Sequence, residues 1–167
     1  MIDIKLLEQL CLCNGISGDE GNVRNLIINE IKDCADDIKT DNLGNLIVFK
    51  KGKKSAKSKL MVSAHMDEVG LMVTDITSDG YLKFDEVGGI DRRVLPGKRV
   101  CVGSNGLNGV IGVKPIHLTN GDEKTAVPKM NDMYIDIGAE SREDALKYVN
   151  YGDSINFEGD FKINLSL

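Results

Sequence analysis

Residues 60–70 read LMVSAHMDEVG: an apolar run, a histidine, an aspartate two places on, a glutamate and a glycine. With Lys59 in front, KLMVSA is a short continuous apolar segment, the pattern of a strand covered on both faces. At the carboxyl end of such a strand in an open α/β sheet, side chains emerge into the crevice where ligands bind. His65 and Asp67 are two apart, so on extended backbone they point the same way while Met66 points into the packing. That placement allows His65 to ligate a divalent cation through a ring nitrogen and Asp67 to orient that ring or a nearby catalytic group. A surface histidine with a hydrogen-bonded aspartate at a turn fits the tripeptide too, and His-x-Asp alone does not separate the two.

Upstream, IDIKLLEQLCLC sets Ile4, Leu7, Leu10 and Cys11 at helical spacing, and NGISGDE breaks the period with Asn and two glycines. A second amphipathic helix is expected over SGDEGNVRNLIINEIKDCAD. Ser17 or Asp19 is its cap, and Val23, Leu26, Ile27, Ile31 and Cys34 lie on one face. IKTDNLGNLIVFKKG then places an Asn-Leu-Gly-Asn turn before a β-rich run, and KKGKKSAKSK reads as a solvated hairpin tip. A phosphate site on these lysines would need an aromatic or glycine-rich cradle, and none accompanies them.

Downstream of Gly70 the texture changes to short strands bounded by Gly, Asn and Asp. GLMVTDITSDGYLKFDEVGG, RRVLPGKRVCVGSNGLNGVIGVKPIHL, MYIDIGA and GDSINFEGDFKINL have the spacing of a small antiparallel barrel. One helix interrupts them at SREDALKYV, where Ser141 is the cap and Asp144 stands where a capping box has Glu or Gln. Gly88-Gly89 reads as a turn or bulge, since no helix start or Lys-Ser/Thr ending follows it as in a phosphate loop.

A net charge of −5 over 167 residues gives no basic face for nucleic acid. The amino terminus has no basic leader followed by an apolar core, and no run reaches membrane-spanning length, so a cytoplasmic protein without a membrane partner is expected. Cys11, Cys13, Cys34 and Cys101 show no repeated metal-binding spacing and read as buried reduced thiols.

SAHMDEVGLMV, preceded by TDNLGNLIV and followed by VGGIDRRVLPGKRV, GVIGVKPIHL and YIDIGAESREDAL, resembles in order and spacing the metallo-aminopeptidases related to glutamyl aminopeptidase. That family includes proteins once labelled cellulase M or endo-glucanase. The resemblance implies a zinc-peptidase-like α/β sandwich with a small β-barrel, a lid or dimerisation domain, inserted after the strand carrying His-x-Asp. It further implies two divalent ions, zinc or cobalt, and a peptide substrate. On this pattern His65 is the candidate metal ligand. Asp67 is the candidate catalytic residue, holding and tuning a ligand or metal-bound water. Residues 1–68 would be the amino-terminal part of the catalytic α/β domain, 69–157 the barrel, and 158–167 the start of the return. Relatives form dimers through the barrel and build tetrahedral dodecamers, so a homo-oligomer is expected.

The family's bridging aspartate, its adjacent glutamates, a further acidic ligand and a second histidine follow the barrel, whereas this sequence runs only to GDFKINLSL. Its other histidine is His117 in KPIHL, which reads as a packed or surface residue on an edge strand. Glu68, Asp91, Asp136 and Asp153 could substitute as ligands, and each also fits a solvent-facing or turn-forming role. Gly70 permits a tight backbone. The expectation is an incomplete amino-terminal part of the sandwich plus the barrel, binding metal weakly or not at all and not competent alone. The other reading is a noncatalytic assembly or binding module acting through the barrel.

Overall fold

The computed structural model describes residues 3–54, 58–114 and 127–163, so His117 and part of the lysine-rich stretch lie outside the described residues. The chain divides into two compact units, Met1–Asp67 and Glu68–Leu167.

In the first unit, helix α1 (Ile4–Leu12) starts where the Asp3 carboxylate accepts from the backbone N–H groups of Lys5 and Leu6, at 3.0 and 3.2 Å. None of its residues is buried: of the expected apolar face, Ile4, Leu7 and Cys11 are exposed and Leu10 is half-buried. Helix α2 (Gly21–Ile31) has Glu20 at its N-cap with no side-chain cap bond, and Val23 is its buried residue. Neither Ser17 nor Asp19 caps it, because the helix starts later than expected and the Ser17 hydroxyl is engaged elsewhere. Strands β1 (Asp37–Thr40) and β2 (Leu46–Phe49) pair antiparallel, with Thr40 opposite Leu46. The intervening turn is tied by Asp41, whose carboxylate accepts from Leu43 N, Asn45 N and Asn45 Nδ2 at 2.8–3.0 Å. The hairpin tip is therefore DNLGN, and the lysine run follows β2 without a paired strand among the described residues.

The expected buried strand at 59–64 is absent among the described residues. Leu60, Met61 and Val62 are 91, 87 and 86% exposed, and the segment is unpaired by any strand. An apolar strand is buried only when neighbours cover both faces and both edges, and the sheet of this unit has two strands, β1 and β2.

The second unit is a closed barrel. Its strands are β3 (Gly70–Ile76), β4 (Leu82–Val87), β5 (Arg99–Val102), β6 (Leu107–Val113), β7 (Met133–Asp136) and β8 (Ser154–Phe157). They close in the order β3-β4-β7-β6-β5-β8, every pairing antiparallel. Inward residues alternate with outward ones and fill the interior with Leu71, Val73, Leu82, Val100, Val102, Ile111, Met133, Ile135 and Ile155, each at most 2% exposed. In β3 the alternation slips by one between Val73 and Ile76, where a register shift lies between Val73 and Asp75. A bulge adds one residue to one strand, so Ile76 rather than Asp75 points inward. Closure also removes the free strand edges that an open sheet this small would leave.

Helix α3 (Arg142–Ala145) is short and sits under the expected cap, Ser141 Oγ accepting from Asp144 N at 3.2 Å. The return bond of the capping box goes from Glu140 N to the Asp144 carboxylate at 3.3 Å, one residue earlier than in the usual box. The cysteines are free thiols but not buried ones: Cys11 and Cys34 are exposed, Cys13 and Cys101 half-buried. Cys11 lies on α1, none of whose residues is buried. Cys101 faces outward in β5 between the inward Val100 and Val102.

Candidate functional site

The site begins in the loop between α1 and α2, NGISGDE at 14–20. Gly15 lies so near α2 and the 65–67 segment that a Cβ there would sit 2.5 Å from Val23 Cγ2 and 3.8 Å from Met66 O. Ile16 anchors the loop at 4% exposure. Its carbonyl accepts from Asp19 N at 2.9 Å, Gly18 has φ +91°, and Ser17, like every non-glycine described, has negative φ. These are the marks of a type II turn with Ser17 at its second position and glycine at its third. Gly18 N is also held by Glu20 Oε1 at 2.6 Å.

The turn presents Ser17 to the residues singled out in the sequence. The Ser17 hydroxyl donates to Asp67 Oδ2 across a separation of fifty residues. On the far side of the same carboxylate, Oδ1 is 3.2 Å from His65 Nδ1. His65 Nδ1 is also 2.9 Å from the backbone carbonyl oxygen of Asp67. A carbonyl oxygen only accepts, so in the neutral ring Nδ1 carries the hydrogen and the lone pair is on Nε2. The His65 side chain is 86% exposed, which leaves Nε2 accessible.

The Asp67 carboxyl is held below the usual carboxylate range. The Ser17 hydroxyl is the largest cause, partial desolvation opposes it, and the residue's own backbone N–H and neighbouring His65 lower it further. Asp67 is therefore the ionised, acceptor-only partner of both neighbours. Residues 61–67 line an open cavity of about 590 Å³ together with Glu20, Ile27 and residues 43–48 of the hairpin. Its lining includes apolar Met61, Val62 and Ile47 as well as His65 and Asp67.

This set can offer one imidazole nitrogen backed by one carboxylate. Among the described residues no three of His, Cys, Asp and Glu gather as metal ligands, and a closed zinc site needs three or four. The residues therefore fit one ligand and its orienting partner and do not by themselves fit a complete two-ion centre. The other carboxylates named from the sequence serve turns. Asp91 pairs with Arg93, Asp136 accepts from Gly138 N, and Asp153 accepts from Asn150 N. The Arg93 guanidinium, with the Arg93 backbone N–H, holds the Asp91 carboxyl down to about 2. Glu68 opens the second unit, and Gly70 is the first residue of β3. The residue that the sequence did not single out for this site is Ser17; its signal, Ser-Gly after a helix stop, reads as a cap.

The M42 glutamyl aminopeptidase family model matches residues 44–166. A putative aminopeptidase of Acetivibrio thermocellus is 48% identical over 155 residues, covering 93% of this chain and 44% of that protein. Among solved structures, the TET aminopeptidase from the marine sediment archaeon Thaumarchaeota archaeon SCGC AB-539-E09 superposes with TM-score 0.89 at 34% identity, covering 97% of this chain and 45% of that one. The TET1 peptidase of Pyrococcus horikoshii, which can assemble into a tetrahedron or a large octahedral shell, matches with TM-score 0.82 at 45% identity over 95% of this chain and 47% of its own. The chain thus spans less than half the length of these relatives.

Proposed function

The chain belongs to the M42 glutamyl aminopeptidase family, and from that premise we propose that it is the amino-terminal portion of a metal-dependent aminopeptidase releasing amino-terminal residues from peptides. Residues 1–68 form part of the catalytic α/β domain, 69–157 the lid or dimerisation barrel, and 158–167 the start of the return to the catalytic domain. His65 is a ligand to a divalent ion, zinc or cobalt, and Asp67 is its orienting partner. The observation that carries this reading is the hydrogen bond from His65 Nδ1 to the Asp67 carbonyl, which leaves an exposed Nε2 beside an open cavity. Histidine ligands to metals characteristically donate their other ring N–H in this manner.

In such an enzyme two bound ions supply Lewis acidity and an activated water. The residues of this chain contribute a directed ring nitrogen, an ionised carboxylate that fixes its direction, and apolar side chains that line the same cavity. A proton-shuttling carboxylate and the remaining ligands have no counterpart among the described residues of the first unit, so the chain alone is not catalytically competent. Like the P. horikoshii TET1 peptidase, it forms a homo-oligomer, held by the closed barrel and by the exposed apolar segment of the first unit together.

Zinc titration of the purified chain, followed by calorimetry, tests the site assignment. Weak uptake that His65→Ala abolishes is expected. Uptake unchanged in His65→Ala would move the ion elsewhere, and a tight stoichiometric site in the unaltered chain would contradict the incompleteness of the ligand set.

A further inference from the structure

We propose that Ser17 is a positioning residue for the histidine: through Asp67 it fixes the His65 ring in the Nδ1–H form and so aims Nε2 outward. The proposal rests on the reading of His65 as a ligand and adds the residue that keeps it in ligating form. Packing does not hold His65 and covers Asp67 only in part. His65 is 86% exposed and Asp67 37%, so hydrogen bonds are the main constraint on the direction of the ring. Of the two oxygens of the Asp67 carboxylate, Oδ2 takes the Ser17 hydroxyl and Oδ1 faces His65 Nδ1, and the residue's own backbone N–H adds a local bond. Without the hydroxyl the carboxylate is free to turn toward water, and His65 Nδ1 keeps only the Asp67 carbonyl at 2.9 Å.

The Ser17 side chain is exposed as well, and what is fixed is its backbone. It occupies a type II turn closed by Asp19 N on Ile16 O, and Ile16 is buried. The close approach at Gly15 brings that turn against α2 and the 65–67 segment, where a side chain on residue 15 would collide with Val23. A donor on an anchored turn thus holds the carboxylate, which in turn faces the ring. This is the usual order in an outer shell that sets the tautomer of a ligating histidine.

The test reads the tautomer directly, without metal or activity. The chain has two histidines, so ring ¹⁵N resonances at alkaline pH, where imidazole is neutral, are assignable with a His117→Gln control. The unaltered chain is expected to show His65 with protonated Nδ1 and unprotonated Nε2. Ser17→Ala is expected to shift the two resonances toward each other or exchange them, and Ser17→Thr, which keeps the hydroxyl, to restore the original pair. Should Ser17→Ala lose its dispersed amide spectrum, Ser17→Cys keeps the size with a weak donor and is expected to shift in the same direction. A His65 already in the Nε2–H form, or one unmoved by whichever of the Ala and Cys variants folds, overturns the proposal. Either result leaves the zinc titration standing, so failure of the positioning role is distinguishable from failure of the ligand assignment.

Discussion

Removing the hydroxyl at position 17 acts first on the carboxylate it reaches. Because the Ser17 bond is the largest cause of the lowered Asp67 pKa, Ser17→Ala should bring the Asp67 carboxyl titration back up, as followed by side-chain carboxyl ¹³C shifts. The sign for stability follows: a carboxyl depressed in the folded state contributes stability above its unfolded value of 3.8, and that contribution is lost as pH falls through the lower folded value. The same reasoning gives Asp91 a window between 3.8 and about 2, and Arg93→Ala should raise its titration toward the upper bound. Gly18, at φ +91° with open space around it, should tolerate the methyl of Gly18→Ala sterically but lose about 1 kcal/mol to the left-handed backbone, measurable by denaturant unfolding. That the side chains of His65 and Asp67 meet was legible in their spacing of two, although the strand expected to carry them is absent among the described residues. Ser17 was not, since its partner lies fifty residues away and its local context reads equally as a helix cap.

At the scale of elements, Ile135 tests the barrel best. It is fully buried in β7 and pairs with Leu82 of β4 on one side and Ile111 of β6 on the other. Ile135→Ala should cost about 2–5 kcal/mol in the unfolding of the second unit, from lost burial and the cavity left behind. The strands of this unit were legible because glycine-bounded apolar alternation has few other solutions, and Ser141 was legible as a cap. The slip after Val73 was not, since a bulge changes which residues face inward without changing composition. The error at 59–64 has a different cause. Continuous apolarity correctly marks what a strand needs around it, but Leu60, Met61 and Val62 find no such neighbours among the described residues and stay exposed. The α1 face and the cysteines failed likewise, the pattern stating a demand for burial that the described residues do not meet.

For the molecule as a whole, that unmet demand predicts association. Leu60, Met61 and Val62 are exposed together with half-exposed Ile47 and Phe49 on β2, apolar side chains of the kind that mark an interaction surface. Light scattering should report a species larger than a monomer. Val62→Glu should lower its apparent mass while leaving the thermal transition of the barrel unchanged, because residue 62 lies in the first unit. Relatives of about twice the length match across nearly all of this chain, so the fold is the family's and the open question is competence. The most direct measurement is an aminopeptidase assay on the purified chain with added zinc or cobalt. With His65 and Asp67 as the proposed ligand and its partner, and no group of three candidate ligands among the described residues, no turnover above the metal-only blank is predicted. Turnover that disappears in His65→Ala would contradict the account, showing that this chain assembles a working centre by itself.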